Sequence, residues 1–260
     1  MKLRALALAI VLIALSAAIP SLVAMSPAQP PAGSPPGGPP RDEKPKNLKV
    51  LPKDMDLQQV RAVMGGFTRA LGVRCDYCHA VKDGHPDFPS DDNPKKNIAR
   101  GMLRMTDSVN VQIAKILPAD HPNRVNVQCV TCHRGLAHPR TLIDELNAKY
   151  DAAGTDSALA KYKMLREQYY GSGSYDFGPG TLPEVARHAY QGKQDSKSAI
   201  ALLQFNVQQF PDNSTAHGSL AEGYLSTGDT TKAIAELEQS VKLDPHNERA
   251  ARTLDRLKKK

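Results

Sequence analysis

The apolar positions of this chain recur at helical spacing over most of its length. Val60, Met64, Phe67 and Leu71 stand three or four residues apart, which predicts a helix over 56–72 with one apolar face. Asp54 or Asp56 can cap its start, and Gly72 suits the left-handed position just past its end. Ile98, Met102, Met105, Val109 and Ile113 (or Ile116) form a second stripe. They predict a helix from about Pro94, behind Asn93 as cap, to about Leu117. A helical pair is expected over 142–170 and a last helix over 248–258. The fold class is therefore all-α: a compact helical domain over 46–140, a helical connector over 141–179, and a helical array over 180–260.

That array repeats itself with a period of 34. Tyr190 and Tyr224, Ala199 and Ala233, Leu203 and Leu237, Pro211 and Pro245 are each one period apart. Leu220, Ala221, Gly228 and Ser240 fill further small or apolar positions of the second copy. The pattern resembles the tetratricopeptide repeat, a helix hairpin whose small residues let its two helices approach closely. Two repeats and a closing helix make a short solenoid, and such arrays usually need a third unit or a cap. The helical pair over 142–170 is the candidate neighbour. The resemblance implies a surface that binds a protein or peptide; packing on the preceding domain is the alternative. The Gly- and Tyr-rich stretch 169–178 links the two parts without an evident mechanism.

The first residues do not fit this helical scheme. Lys2 and Arg4 precede an almost wholly apolar run over 5–24, broken by Ser16, Pro20 and Ser21. That layout is a secretory signal over 1–28, cut after Ala24 or Ala28, or else an uncleaved anchor. Residues 29–45 are dense in Pro and Gly and read as a semi-extended linker. The expected location is the periplasm, free or tethered by the uncleaved segment.

Composition adds little until the cysteines are placed. The 260 residues are 40% hydrophobic and 23% charged, with no Trp, and the formal charge is +7. A basic balance favours anionic partners weakly. No nucleic-acid motif accompanies it. The four Cys all fall in two copies of one motif, Cys75-Asp76-Tyr77-Cys78-His79 and Cys129-Val130-Thr131-Cys132-His133. Cys-x-x-Cys-His reads as covalent haem attachment. Two thiols on a tight turn reach the two vinyl groups, and the adjacent His comes beneath the macrocycle to ligate iron. Disulfides, a four-Cys zinc site or a thioredoxin-like pair would each leave the two histidines unexplained. Two haem c groups are expected. A thioether is a suitable sixth ligand, and Met64 lies on an apolar face close to the first motif. Met102 and Met105 lie one turn apart, and geometry does not choose between them. His85, His121 and His138, each in a loop beside Pro, are rival ligands.

The run Lys46-Asn47-Leu48-Lys49-Val50-Leu51-Pro52, then Met64 and Leu71-Gly72-Val73-Arg74 before the first motif, resembles the tetrahaem cytochrome subunit of photosynthetic reaction centres. So does Ala99-Arg100-Gly101-Met102-Leu103-Arg104-Met105-Thr106, followed by Val127-Gln128 and the second motif with Arg134-Gly135. In that family a Met on the helix along the haem face supplies the sixth ligand at most sites. The resemblance implies Met64 as the partner of His79 and Met102 as the partner of His133, with Met105 as fallback. It covers about 46–140 and departs in one respect: the family carries four haems in two halves, and this chain has one half. The expected function is electron transfer with redox partner proteins, a membrane-bound complex among the candidates. The alternatives are a diheme peroxidase-like enzyme and a haem-containing redox sensor or scaffold.

Overall fold

The computed structural model describes residues 44–259. The export segment expected over 1–28 and nearly all of the linker lie outside the described residues. Among the described residues no helix is long and apolar enough to cross a membrane.

Two helices frame the first part. Helix α1 (Leu57–Leu71) starts behind Asp56, whose carboxylate accepts from the Gln59 amide, and Gln59 returns a side-chain bond to the Asp56 amide. It stops at Gly72, left-handed with φ 65°. Helix α2 (Pro94–Ile116) starts behind Asn93, with Pro in its first position where a missing amide costs nothing. Between them lie a 3-10 turn (Cys75–Tyr77) and a hairpin of β1 (Ala80–Lys82) with β2 (His85–Asp87), in antiparallel register with Val81 opposite Pro86. Asp83 and Gly84 turn it with φ of 51° and 77°. Two positive φ values in a two-residue loop match the right-handed twist of the strands. The hairpin is a small addition to the all-α fold that the sequence predicts, and it puts His85 in a strand, opposite Lys82, rather than in a loop.

The second Cys motif is itself a short helix, α3 (Cys129–His133). Beyond it α4 (Leu142–Tyr169) holds the expected helical pair, divided at Gly154, whose φ of 78° is left-handed. The repeats follow as α5 (Thr181–Lys193) with α6 (Ser196–Gln209), α7 (Ser214–Ser226) with α8 (Thr230–Leu243), and a closing α9 (Glu248–Lys258). Of the residues that marked the period, Ala199, Ala233, Leu203, Leu237 and Tyr224 are buried, whereas Tyr190, Pro211 and Pro245 are exposed. A Cβ on Gly223 would stand 2.9 Å from Leu203, so α7 approaches α6 as closely as a glycine allows. Helix α4 packs on α5 and α6 through Leu146, Tyr150, Tyr162 and Leu165, and so supplies the third neighbour the solenoid needs. Ser214, Ser240 and Asn247 bond one another across α7, α8 and the start of α9.

The tyrosine-rich stretch joins the two parts. Tyr162 meets Phe177 and Phe205 edge-on, each with ring centroids at 5.7 Å, and Tyr169 meets Tyr175 at 5.4 Å. Ser174 donates to the Arg134 carbonyl at 2.6 Å, tying this cluster to the loop after the second Cys motif.

Candidate functional site

Each Cys-x-x-Cys-His segment is wound as the chemistry requires. In the first, the His79 amide donates to the Cys75 carbonyl at 3.0 Å and the Cys78 amide to the same carbonyl at 3.3 Å. Positions three apart lie on one side of such a turn, as Cys75 and Cys78 do. In the second, α3 does the same, entered through a bond from the Gln128 amide to the Thr131 hydroxyl. All four thiols are free. Burial pushes the Cys78 and Cys129 thiols up from their ordinary pKa. Among the described residues no three His, Cys, Asp or Glu side chains converge as a metal cluster.

The two segments meet through backbone. The Gly135 amide donates to the Ala70 carbonyl at 2.8 Å, and a Cβ on Gly72 would lie 2.2 Å from the Gly135 oxygen. Arg134 and Gly135 take positive φ to leave α3, at 49° and 86°. A second contact is made by side chains: the Tyr77 hydroxyl stands 3.4 Å from His138 Nε2. The approach to the second motif is pinned by Asn110 of α2, which accepts from the Val127 amide at 2.7 Å and donates to its carbonyl at 2.9 Å.

The histidines differ in surroundings. His133 is buried, and its Nδ1 lies 2.7 Å from the Leu136 carbonyl. A carbonyl only accepts, so Nδ1 carries the proton and the lone pair of the neutral ring is on Nε2. His79 is half-buried, packs edge-on against Phe88 at 5.1 Å, and has a buried Nδ1 without a hydrogen-bond partner. Burial, and then the Lys96 ammonium, hold its pKa below the ordinary histidine value. Of the rivals, His85 and His138 are exposed, and His121 accepts the Asn123 amide in a local turn.

Met64 is half-buried on the α1 stripe with Val60, Phe67 and Leu71. Met102 and Met105 are exposed on α2, as are Ile98, Val109 and Ile116 on the same stripe. The only buried residue of this 23-residue helix is Arg100. Arg100 and Asn110 turn toward the chain, while most of the apolar stripe is exposed. That arrangement inverts the usual amphipathic helix.

These features fit a haem. A His fixed through Nδ1 by a carbonyl offers Nε2 to a metal, the ordinary outer-shell arrangement. The paired thiols have thioether spacing, and the apolar stripe with its two thioethers offers a face for a flat macrocycle. Sequence reasoning names the thiols and histidines as candidates from their spacing but does not foresee the Leu136 carbonyl, the Gly72–Gly135 approach or the Tyr77–His138 contact. Gly72 and Gly135 carried a signal in their type; the other two contacts left none.

The fold and these segments define a c-type cytochrome joined to a repeat array. Residues 16–173, more than half of the chain, match the photosynthetic reaction centre cytochrome C subunit family, and the chain belongs to it. Residues 192–257 match the tetratricopeptide repeat. Cytochrome c-554 of Chloroflexus aurantiacus is 29% identical over 177 residues, which is 66% of this chain and 38% of that protein. The match thus spans well under half of that relative. Membership of the family implies covalently bound haem c.

Proposed function

We propose that this chain is an exported carrier that passes single electrons through two haems. Cys75 and Cys78 hold the first by thioether bonds and His79 ligates its iron; Cys129, Cys132 and His133 do the same for the second. Met64 completes the first site and Met102 the second, with Met105 the alternative on the same face of α2. When bound, haem supplies a one-electron couple whose potential a Met ligand raises relative to a second His. The haem domain runs over 46–140, the connector over 141–179 and the repeats over 180–260, where a partner protein docks. Redox partners, a membrane-bound complex included, exchange electrons with it in the periplasm.

One observation carries this reading: buried His133, its Nδ1 committed to Leu136, directly follows a Cys pair at three-residue spacing on the short helix α3. The test is the visible spectrum of protein matured in a cytochrome-assembling host, with haem counted per chain. Two low-spin haems with the methionine-to-iron band in the oxidised state are expected. Replacing Met102 should abolish about half of that band. A high-spin component, or carbon monoxide binding by the reduced protein, would point to an open iron and the peroxidase-like alternative. No haem at all would sink the proposal.

A further inference from the structure

We infer that the seam between the two Cys-x-x-Cys-His segments is a docking surface for an acidic electron-carrier protein, separate from the repeats. The inference rests on the haem reading above. Its first support is the division of charge. Residues 44–140 hold sixteen Lys and Arg against nine Asp and no Glu, while residues 141–260 hold fifteen against sixteen Asp and Glu. The whole formal charge of +7 thus lies in the stretch that carries the two motifs. The propionates of two haems would lower this excess without cancelling it.

The second support is how those charges are paired. In the repeats Arg187, Lys232, Arg249, Arg252 and Lys258 each meet a separate carboxylate. In 44–140 three cations, Lys49, Lys96 and Arg100, share the one carboxylate of Asp91. Among the described residues Arg61, Arg69, Lys82, Arg104, Lys115 and Arg140 are exposed and meet no carboxylate, so their field reaches outward.

The third support is position. Tyr77 lies inside the first motif, and its hydroxyl meets His138, five residues past His133. Lys95 sits over the Tyr77 ring, 3.8 Å from its centroid. Arg74 is 92% exposed beside it, and its one nearby acid, Asp76, is at 3.8 Å. Lys82, three residues past His79, and Arg140, two past His138, are exposed. An aromatic centre with a cationic rim is the composition of a protein interface. An anionic bilayer would suit the charge but accepts no electron, so a surface at the attachment segments serves a redox protein.

The test uses the haem-loaded full chain and an acidic blue-copper protein, plastocyanin, as probe. One electron leaves the reduced chain and takes Cu(II) to Cu(I), with no proton or bond change. The second-order rate should fall about tenfold as ionic strength rises from about 0.01 M to about 0.5 M. The triple variant Lys82→Glu, Lys95→Glu, Arg140→Glu should lower the low-salt rate by about tenfold and flatten that dependence. Lys197→Glu, Lys242→Glu, Arg256→Glu makes the same change in net charge on the repeats and should stay within about twofold of the parent. Redox-inert cadmium plastocyanin should shift the amide resonances of Tyr77, Lys95 and Arg140. A salt-independent rate, equal loss from both triples, or shifts confined to the repeats would each overturn the inference. So would seam-dependent binding to phosphatidylglycerol vesicles beside a flat plastocyanin rate. Haem per chain is measured first: chains without haem overturn the haem reading and this inference with it, whereas haem-replete chains with a flat rate overturn only this one.

Discussion

Residues 44–140 and 141–259 are both helical, yet they are held by different things. Among the described residues the second stretch buries twenty-one apolar side chains and the first buries two, Ala70 and Leu136. In the repeats the apolar face of each helix meets another helix, as a chain does when its own side chains drive folding. In the first stretch α2 turns Asn110 and Arg100 inward and leaves Met102, Met105 and Ile116 facing out. Polar bonds, chiefly those converging on Asp91 and Val127, fix where α2 lies, and they contribute little net stability each. The lesson is that one half is organised by its own core and the other by fixed polar points around a body it does not itself provide.

The sharpest way to break that contrast is to deny the first stretch its haem. Changing Cys75, Cys78, Cys129 and Cys132 to Ser, hydrogen exchange should find the amides of α1 and α2 nearly unprotected. Those of α6, α7 and α8 should keep close to their full protection. Equal protection in both halves would show that 44–140 folds on its own and would dissolve the comparison. The reverse experiment is Leu202→Ala, which truncates a wholly buried side chain of α6. It should cost about 3 kcal/mol of repeat stability, read by urea unfolding, and leave the visible spectrum unchanged. A spectral shift on that variant would mean that the halves share a core after all.

How far the sequence foretold all this follows the same division. Helix ends were legible in both halves because capping is local chemistry: Asp56 and Gly72 bound α1, Asn93 bounds α2, and α9 runs over Glu248–Lys258 as expected. The repeat period was legible because Ala199, Ala233, Leu203 and Leu237 are constrained by packing that recurs. The hairpin was not, since each strand has only three residues and no alternating apolar face, although Asp83-Gly84 announced the turn. Nor was the role of stretch 169–178, because Ser174 finds its partner forty residues back at Arg134. The candidate thiols and histidines could be read from spacing alone. The direction of the α2 stripe could not: its periodicity says that one face is apolar, but not what will lie against it.

A smaller effect separates the two kinds of glycine in these halves. Gly72 and Gly154 both have positive φ, but a Cβ at Gly72 would strike the Gly135 oxygen at 2.2 Å, while one at Gly154 meets nothing within 4 Å. Gly154→Ala should cost about 1 kcal/mol, the strain of a left-handed alanine. Gly72→Ala adds a backbone clash that must part α1 from α3, for a total of about 2–3 kcal/mol. Urea midpoints followed at the haem band for Gly72→Ala and by far-ultraviolet dichroism for Gly154→Ala would measure the difference. Equal costs would mean that the Ala70–Gly135 junction yields without resistance.

The smallest effect tests the polar fixing of the first stretch. Asp91 accepts from Lys49 at 2.6 Å, Arg100 at 2.8 Å and Asn47 at 2.9 Å, holding the entering strand of chain against α2. The Arg100 guanidinium, and next the Lys49 ammonium, hold its carboxyl well below the usual carboxylate range. Because the folded state lowers this pKa, the tie is at full strength above the ordinary carboxylate value. It weakens as pH falls below about 4 and is lost only in stronger acid. Asp91→Asn removes the charge at every pH. Amides of Leu48, Lys49 and Val50 should therefore exchange faster in the variant by a constant factor from about pH 5 to pH 8. That factor should shrink toward one as the parent is taken below about pH 4. No gap at neutral pH would mean that Asn47, with its bond to the Pro89 carbonyl at 2.6 Å, anchors this segment and not the Asp91 charge.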